Sequence, residues 1–400
     1  MFSEKFKKTE AAKRCIYPVI RQLNELGDNA YGGRFYDGDC NTLHVNLTHD
    51  IRNALYSNNA FLQGANDFEK HIKFHFVKYT QAQMRAMQTI IDKELLGKLG
   101  INATDYDVKN NKLMLGVDDA TEDAKKEILS ALAKLNYSNP DMFEIIQKPR
   151  VYSSGSFDLS SSPVDMSNGI PDRLIDAAAS ANILVAPGSW IGQGASVSAI
   201  TGISSLCTGV IYAGAPGFLS CGHGKQQGMK IFYQPVPSSG NYPSNIWSYS
   251  NSSLVEIGYV YGCEFNSGDP YDFASIYRTN SSTYMDPENY RGGTVDGDSG
   301  IPEIGEQMAF VGCADGAVFG TCTSTSMSTT VDNSVIKTDV LAMSKSSTPG
   351  SSGGCVAYLD GSTNKTNLTG LVLGHFNNSE GSVHTKYGLL KNRFNLTTVF

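Results

Sequence analysis

The sequence predicts an N-terminal α+β region followed by a larger all-β region. Its 400 residues exceed what one ordinary core holds, so two domains are expected. Mixed helix and strand patterns and most of the lysines occupy residues 1–150, whereas Gly, Ser, Thr, Val and Tyr dominate residues 183–400. Residues 151–182 are rich in Ser, Pro and Gly and are predicted to link the two regions.

The N-terminal region contains two similar strand-forming segments. Residues 36–50 and 106–119 each place an acidic turn before an alternating apolar strand. Apolar residues recur at helical spacing over residues 124–135, directly after the second segment. A further helix is predicted to begin at Thr80, where Gln83 completes a capping box. Two strand–helix units therefore make up the predicted α+β region, and no catalytic pattern lies in it.

The second region is predicted to consist of short strands separated by turn residues. The predicted strands are Leu206–Tyr212, Lys230–Tyr233, Leu254–Tyr261, Phe273–Tyr277, Met308–Val311 and Gly370–Leu373. Short strands at such spacing are typical of a β-sandwich or a barrel. The length of this region suits one double β-barrel domain.

Composition narrows the functional class. The net charge of −7 argues against nucleic acid or an anionic membrane as the main partner. No apolar run approaches the roughly 18–20 residues that a membrane span needs. The eight cysteines are an even number without a C-x-x-C pair, which favours an oxidising compartment over a zinc ribbon. We expect a monomer that uses no metal and no cofactor.

Three residues of the second region match the parts that activate a serine hydroxyl. Such a hydroxyl needs a base to accept its proton, an acid to hold that base, and donors for the oxyanion. His223 follows an apolar strand in FLSCGHG, Asp272 opens a strand in DPYDFASIYR, and Ser352 lies in the glycine-rich TPGSSGGC. Taken singly, these residues also fit a structural histidine, a turn aspartate and an ordinary serine loop.

The glycines around Ser352 are expected to supply the donors for the oxyanion. Gly350 and Gly353 free the backbone for a sharp turn, so the N–H groups of Gly350 and Ser352 are expected to form an oxyanion hole. Ser299, in Gly-Asp-Ser-Gly, is a competing nucleophile candidate. It follows Asp272 too closely to leave room for another set of strands, so Ser352 is preferred.

In this order the three motifs resemble those of the chymotrypsin-like serine peptidases, most closely the streptogrisin and alpha-lytic branch. The run Ser220–His223 is similar to the Thr-Ala-Gly-His strand end of that family, and Asp272–Ala274 to its Asp-x-Ala strand start. Pro349–Gly354 corresponds to its Gly-Asp-Ser-Gly-Gly nucleophile motif. The resemblance covers residues 183–400 well and residues 30–150 loosely.

Two further segments extend the resemblance. The sequence between Cys313 and Cys322 resembles a short disulfide loop of the branch, and residues 370–376 resemble its strand along the substrate cleft. The resemblance implies that residues 183–400 form a double β-barrel serine endopeptidase acting on peptides or proteins. It also implies that the N-terminal part is a pro-region that assists folding and blocks the cleft. Cleavage of the linker is expected between about residues 168 and 188.

The resemblance also carries expectations about cysteines and location. It implies the disulfides Cys207–Cys221 and Cys313–Cys322, with Cys263–Cys355 as the third pair, and leaves Cys15 and Cys40 free. A secreted protein is expected. Because the charged start of the sequence is not a secretory signal, its leader is expected to lie outside this sequence. An intracellular peptidase is the alternative.

Two departures from the family pattern leave a rival open. Ser351 stands where the family has Asp before the nucleophile, and Cys221 replaces a small residue beside the base. The rival is a catalytically impaired homologue that acts as a binding module. For the specificity pocket we expect Ser346 and His375 to contribute. A preference for Lys or Arg is not expected, because no acidic residue lies between Asp339 and Ser352.

Overall fold

A computed structural model describes most of the chain, and the statements below concern the residues it describes. These are residues 16, 19–37, 42–48, 71–153, 183–185, 187–196, 200–233, 254–279, 283–285, 288–289, 293–294, 300–360, 365–378 and 380–399. Strands dominate, with few helices. None of the described helices is both long and apolar enough to cross a membrane.

The elements are numbered in chain order. The helices are α1 (Gln81–Glu94), α2 (Glu122–Lys134) and α3 (Tyr387–Phe394), with a 3-10 turn at Pro140–Met142 and helical backbone over residues 19–26. The strands are β1 (Tyr31–Tyr36), β2 (Leu43–Leu47), β3 (Ile72–Phe76), β4 (Ile101–Asp107), β5 (Lys112–Val117), β6 (Phe143–Gln147), β7 (Val151–Ser153), β8 (Ile183–Val185), β9 (Trp190–Gly194), β10 (Ile200–Ser205), β11 (Thr208–Tyr212), β12 (Ala215–Ser220), β13 (Lys230–Tyr233), β14 (Val255–Glu264), β15 (Phe273–Arg278), β16 (Thr283–Met285), β17 (Glu288–Asn289), β18 (Gly293–Thr294), β19 (Gln307–Gly312), β20 (Gly316–Val331), β21 (Val335–Met343), β22 (Cys355–Asp360), β23 (Lys365–Phe376), β24 (Ser382–Lys386) and β25 (Thr397–Val399).

The N-terminal region contains two α+β units. In the first, β1, β2 and β3 form a sheet whose apolar side chains pack with Val19 and Leu23 of the helical segment. In the second, α1 and α2 cover β4, β5 and β6. Thr80 caps α1 and forms the predicted capping box with Gln83. The buried face of α1, with Met84 and Ile91, packs in one core with the apolar residues of β5.

Eight strands form the first sheet of the second region, in the order β10-β9-β13-β14-β15-β12-β11-β25. The apolar residues that alternate along these strands fill one core, which includes Ile191, Phe218, Ile257 and Ile276. The turn after β12 and the start of β15 lie next to each other, because β12 and β15 are paired through Ser220 and Ala274.

Six strands of the second sheet close on themselves. Their order is β19-β22-β23-β24-β21-β20, and β20 pairs back with β19. Met308, Phe310, Leu341 and Val372 are among the fully buried residues inside this ring. A separate core that includes Cys207, Leu219, Leu371 and Tyr387 joins residues from both sheets.

The N-terminal region continues the second sheet. Ser328 and Thr329 of β20 pair with Thr104 and Ala103 of β4, so that β4, β5 and β6 extend the sheet outwards. β7 pairs antiparallel with β23. The first three residues of the predicted linker are therefore a strand, and residues 154–182 lie outside the described part of the chain.

Candidate active site

His223 lies in the turn that follows β12, at the edge of the first sheet. The residue is 5% exposed. Gly222 precedes it where no other residue fits, because a Cβ there would lie 2.4 Å from the carbonyl oxygen of Phe273 and 2.5 Å from that of Glu264. This close approach brings the histidine onto the start of β15.

Asp272 immediately precedes β15 and is held by the histidine turn. Its Oδ1 accepts hydrogen bonds from the backbone N–H groups of Gly222 and His223 at 2.6 and 2.8 Å, and its Oδ2 lies 2.6 Å from Nδ1 of His223. Burial alone raises the pKa of Asp272, but the charge and hydrogen bonds of His223 outweigh burial and lower that pKa below its ordinary value. Asp272 is therefore an ionised acceptor that fixes the orientation of the ring.

Ser352 comes from the second sheet, in the turn that precedes β22. Its Oγ lies 2.8 Å from Nε2 of His223 and 3.2 Å from the carbonyl oxygen of Leu373. Gly353 adopts φ = +79°, and a Cβ there would lie 2.5 Å from Oγ of Ser220. The glycine thus lets the two sheets meet closely enough for the Ser352–His223 hydrogen bond.

Two opposed effects set the pKa of His223. Burial lowers the pKa of His223, whereas the Asp272 carboxylate and the neighbouring Cys221 sulfur raise that pKa, to about 10. The ring lies between a carboxylate and a hydroxyl, each in hydrogen-bond contact with a different nitrogen. This arrangement can move a proton from Ser352 to an imidazole whose charged form is stabilised by Asp272.

The two predicted oxyanion donors lie beside the hydroxyl. Gly350 adopts φ = +101°, which favours glycine. The Ser351 N–H donates to the carbonyl of Thr348 at 3.0 Å, whereas the N–H groups of Gly350 and Ser352 donate no hydrogen bond within the described part of the chain. Both groups are therefore available to an anionic oxygen.

No protein family matches this chain, and no curated protein does. Solved structures do match. Thermobifida fusca protease A is 21% identical, with 54% of this chain and 98% of that chain covered and a TM-score of 0.39. The Nocardiopsis protease is 18% identical, with 54% of this chain and 100% of that chain covered and a TM-score of 0.37. A Cellulomonas bogoriensis chymotrypsin is 18% identical, with 54% of this chain and 99% of that chain covered and a TM-score of 0.39.

The matched structures are chymotrypsin-like serine proteases. Their similarity to this chain covers about half of it. At such low identity the activity of those chymotrypsin-like proteases says nothing by itself about this chain. The chemistry of this chain is therefore argued from its own side chains.

Asp315 is a residue of the site that the sequence analysis missed. Its carboxylate accepts hydrogen bonds from the Ser351 hydroxyl at 2.7 Å and from the Thr348 N–H at 2.8 Å, so it holds the nucleophile turn. Ser351, the residue that departs from the family pattern, is thus bonded to a carboxylate from the turn between β19 and β20. The sequence signal was weak, because an Asp-Gly turn is common in hairpins.

Lys225 is the second residue that was missed. It is almost completely buried, and its ammonium donates to Oγ of Ser204 at 2.8 Å and to Sγ of Cys221 at 3.2 Å. Burial raises the pKa of Cys221, but the positive charges of His223 and Lys225 outweigh burial and lower that pKa. The pKa of the Cys221 thiol therefore lies below that of an ordinary cysteine.

The predicted pocket residues lie in neighbouring segments. Ser346 donates to the carbonyl of Ser347, and Ser347 in turn donates to the carbonyl of Gly374, which precedes His375. His375 is half-buried, and burial lowers its pKa despite opposing effects of Asp315 and Asp332. A pocket role for Ser346 and His375 stays a prediction. The competing Ser299 lies outside the described residues.

None of the predicted disulfides is present among the described cysteines. All six of these cysteines, Cys207, Cys221, Cys263, Cys313, Cys322 and Cys355, are free thiols. The sulfur of Cys207 donates to the carbonyl of Gly370 at 3.8 Å, and burial, reinforced by the neighbouring Cys355, raises the pKa of Cys207 well above its ordinary value. Cys221 instead contacts Lys225.

The remaining predicted pairs fail for reasons of register. Gly312 pairs with Gly316 at the turn of the β19–β20 hairpin, whereas Cys322 donates its N–H to Glu306 at the open end. Cys313 and Cys322 therefore lie at opposite ends of one hairpin, beyond the roughly 7 Å between Cα atoms that a disulfide tolerates. Cys263, in turn, pairs with Ala274 within the first sheet. Cys15 and Cys40 lie outside the described residues.

Proposed function

We propose that this protein is a serine endopeptidase that hydrolyses peptide bonds through Ser352, His223 and Asp272. The observation that carries the proposal is the continuous hydrogen-bonded series from Asp272 through both nitrogens of His223 to Oγ of Ser352, at 2.6 and 2.8 Å. Burying a carboxylate, an imidazole and a hydroxyl together costs free energy that an apolar core would not. A catalytic role accounts for that arrangement.

The proposed reaction follows from the positions of these groups. Oγ of Ser352 attacks the peptide carbonyl while Nε2 of His223 accepts the hydroxyl proton. Asp272 keeps Nδ1 protonated and stabilises the imidazolium, and the N–H groups of Gly350 and Ser352 stabilise the oxyanion. The imidazolium then gives its proton to the leaving amine. Water attacks the acyl-enzyme in the same way and releases the second product.

The proposal includes an inhibitory N-terminal region. β7 pairs antiparallel with β23, with Tyr152 opposite His375 and Ser153 opposite Gly374. Gly374 follows Leu373, whose carbonyl oxygen lies 3.2 Å from Oγ of Ser352. A strand bound along this edge occupies the place where an extended substrate would pair by its backbone. Residues 1–153 are therefore proposed as the pro-region of a secreted double-barrel peptidase, released when the linker is cut.

The test uses the full chain after cleavage of its linker. Ser352→Ala should abolish peptide hydrolysis, a loss on the order of 10⁶-fold in turnover, and should abolish labelling by a fluorophosphonate. Ser299→Ala is the matched control and should retain both. Folded, cleaved wild-type protein that neither labels nor hydrolyses peptides would favour the rival, a catalytically impaired binding module. Loss of activity in Ser299→Ala alone would overturn the choice of nucleophile.

A further inference from the structure

The structure contains a buried lysine outside the three proposed catalytic residues. Lys337, in β21, has a side chain with 0% exposure. Its ammonium donates to the carbonyl oxygens of Asn266 and Tyr271, at 2.7 and 2.5 Å, and to Oδ1 of Asp269 at 3.0 Å. An ammonium group has three protons, and each has an oxygen acceptor here.

We propose that Lys337 is a positioning residue that holds Asp272 and Phe265 in place against His223. This inference rests on the proposed function. All three acceptors of the ammonium lie in the segment between β14 and β15, which ends at Asp272. Burying a lysine costs the free energy of desolvating its charge, which an apolar residue of similar size avoids. Stabilisation of the fold alone therefore does not account for Lys337.

Backbone contacts tie the same segment to β21. The Gly268 N–H donates to the carbonyl of Ile336 at 2.8 Å, and the Ile336 N–H donates to Oγ of Ser267 at 3.0 Å. Asp269 and Lys337 themselves form an isolated parallel bridge. The segment belongs to the first sheet and β21 to the second, so Lys337 fixes the distance between the sheet with the acid and base and the sheet with the nucleophile.

Two contacts lead from the lysine to the triad. Tyr271, which accepts from the ammonium, is bonded covalently to Asp272. Nζ also lies 4.2 Å from the centroid of the Phe265 ring, and this ring lies 5.4 Å from the ring of His223. The ammonium charge contributes, after burial and the larger effects of His223, to the lowered pKa of Asp272.

The experiment compares two buried lysines in the closed ring of six strands of the second sheet. Lys337→Met should lower kcat by about 10- to 100-fold with KM changed less than about threefold, because a displaced triad slows chemistry rather than binding. Lys386→Met is the matched control. Lys386 is also almost completely buried and forms an ion pair with Asp339, but it makes none of the contacts to the segment before Asp272. It should lower thermal stability and leave kcat unchanged.

Three further measurements keep the outcome decisive. Rates are expressed per active site titrated with a fluorophosphonate, so unfolded protein does not count. The downfield proton resonance of Nδ1 in His223 should shift or broaden in Lys337→Met and not in Lys386→Met. If Lys337→Met does not fold, Asp269→Ala removes one acceptor and should show a smaller loss of kcat in the same direction.

The failure of this inference differs from a failure of the proposed function. An unchanged kcat and an unchanged Nδ1 resonance in Lys337→Met, with active wild-type protein, would overturn the positioning role alone. Equal losses of kcat in Lys337→Met and Lys386→Met would also overturn it. An inactive, unlabelled wild-type protein would instead overturn the proposed function.

Discussion

Cys221 is a neighbour of the proposed base that the family pattern does not contain. It comes two residues before His223 in the same turn, and its sulfur lies 3.2 Å from the ammonium of Lys225. After Asp272, this sulfur is the neighbour that most raises the pKa of His223. A base is active only when it is deprotonated, so a raised pKa would move the onset of the proposed activity to higher pH.

A change at Cys221 should therefore alter the pH dependence of the proposed peptide hydrolysis. Cys221→Ala removes a group that favours the protonated ring, so the acidic limb of kcat/KM should move to lower pH. The limb is measured between about pH 5 and 10, where the ordinary histidine pKa of roughly 6.5 and the raised value both fall. Cys322→Ala is the control, since Cys322 is a buried free thiol in the core of the second sheet, with the Ser324 carbonyl as the partner of its sulfur. An unmoved acidic limb in Cys221→Ala would contradict the assigned effect of the sulfur.

At the scale of elements, strands with alternating apolar residues could be predicted and the longest hairpin could not. The predicted strand at Lys230–Tyr233 was found with those bounds, and the one at Phe273–Tyr277 within one residue. β20 and its partner β21 were both missed. β20 was missed because the sequence over Gly316–Val331 is mostly Ser, Thr and Gly, with few alternating apolar residues. The hydroxyls that replaced those residues have partners in the N-terminal region, which a local pattern does not reveal.

The residues of the candidate site also divide into those that could be predicted from the sequence and those that could not. His223, Asp272 and Ser352 could be identified because glycines and strand ends mark them locally. Asp315, Lys225 and Lys337 could not, because each acts through contacts with residues distant in sequence. The disulfides were predicted from the family resemblance, and the register of the β19–β20 hairpin separates Cys313 from Cys322.

Weakening the pairing of β7 with β23 should make Ser352 more accessible in the uncleaved chain. Tyr152→Pro removes a backbone donor from the centre of β7 and should weaken its pairing with β23. In the uncleaved chain, Ser352 should then react faster with a fluorophosphonate than in the unmodified precursor. Ser138→Pro, at an exposed position of the same region outside any strand, is the control and should leave the labelling rate unchanged. Equal labelling rates for both variants would show that β7 does not block the hydroxyl.

At the scale of the whole molecule, two partly buried carboxylates join the N-terminal region to the second sheet. Asp92 of α1 accepts a hydrogen bond from Ser328 at 2.6 Å, and Asp105 of β4 accepts one from Ser324 at 2.7 Å. Burial raises the pKa of Asp92 to about 6 against the hydrogen bonds from Ser328 and Thr104. Burial likewise raises the pKa of Asp105 to about 6, against the charge of Lys148.

The raised values fix the sign of a pH effect on release. A carboxyl whose pKa is higher in the docked state favours docking when it is protonated, so its contribution is full below the ordinary value of 3.8 and is lost as the pH rises through about 6. After cleavage of the linker, the N-terminal fragment should co-elute with residues 183–400 at pH 5 and separate from them at pH 8. Size-exclusion chromatography at the two pH values measures this.

The matched variants of this prediction keep the shape and change the charge. The double change Asp92→Asn and Asp105→Asn retains oxygen acceptors but cannot ionise, so the fragment should stay bound at pH 8. Asp123→Asn, at an almost fully exposed carboxylate of α2, should release the fragment as the unmodified chain does. Release of the double variant at pH 8 would contradict the assignment of these carboxylates.

Departure of the N-terminal region would turn an interior strand into part of the surface. Ser328 and Thr329 pair with β4 in the described structure, and separation would leave that stretch of β20 as an open sheet edge. An open edge invites aggregation when it is apolar. Here the residues are hydroxyl-bearing, and a hydroxyl can exchange an aspartate or backbone partner for water without exposing apolar surface. The Ser and Thr content of this stretch, which hid the strand from the sequence analysis, would thus leave a polar edge at the point where β4 had been paired.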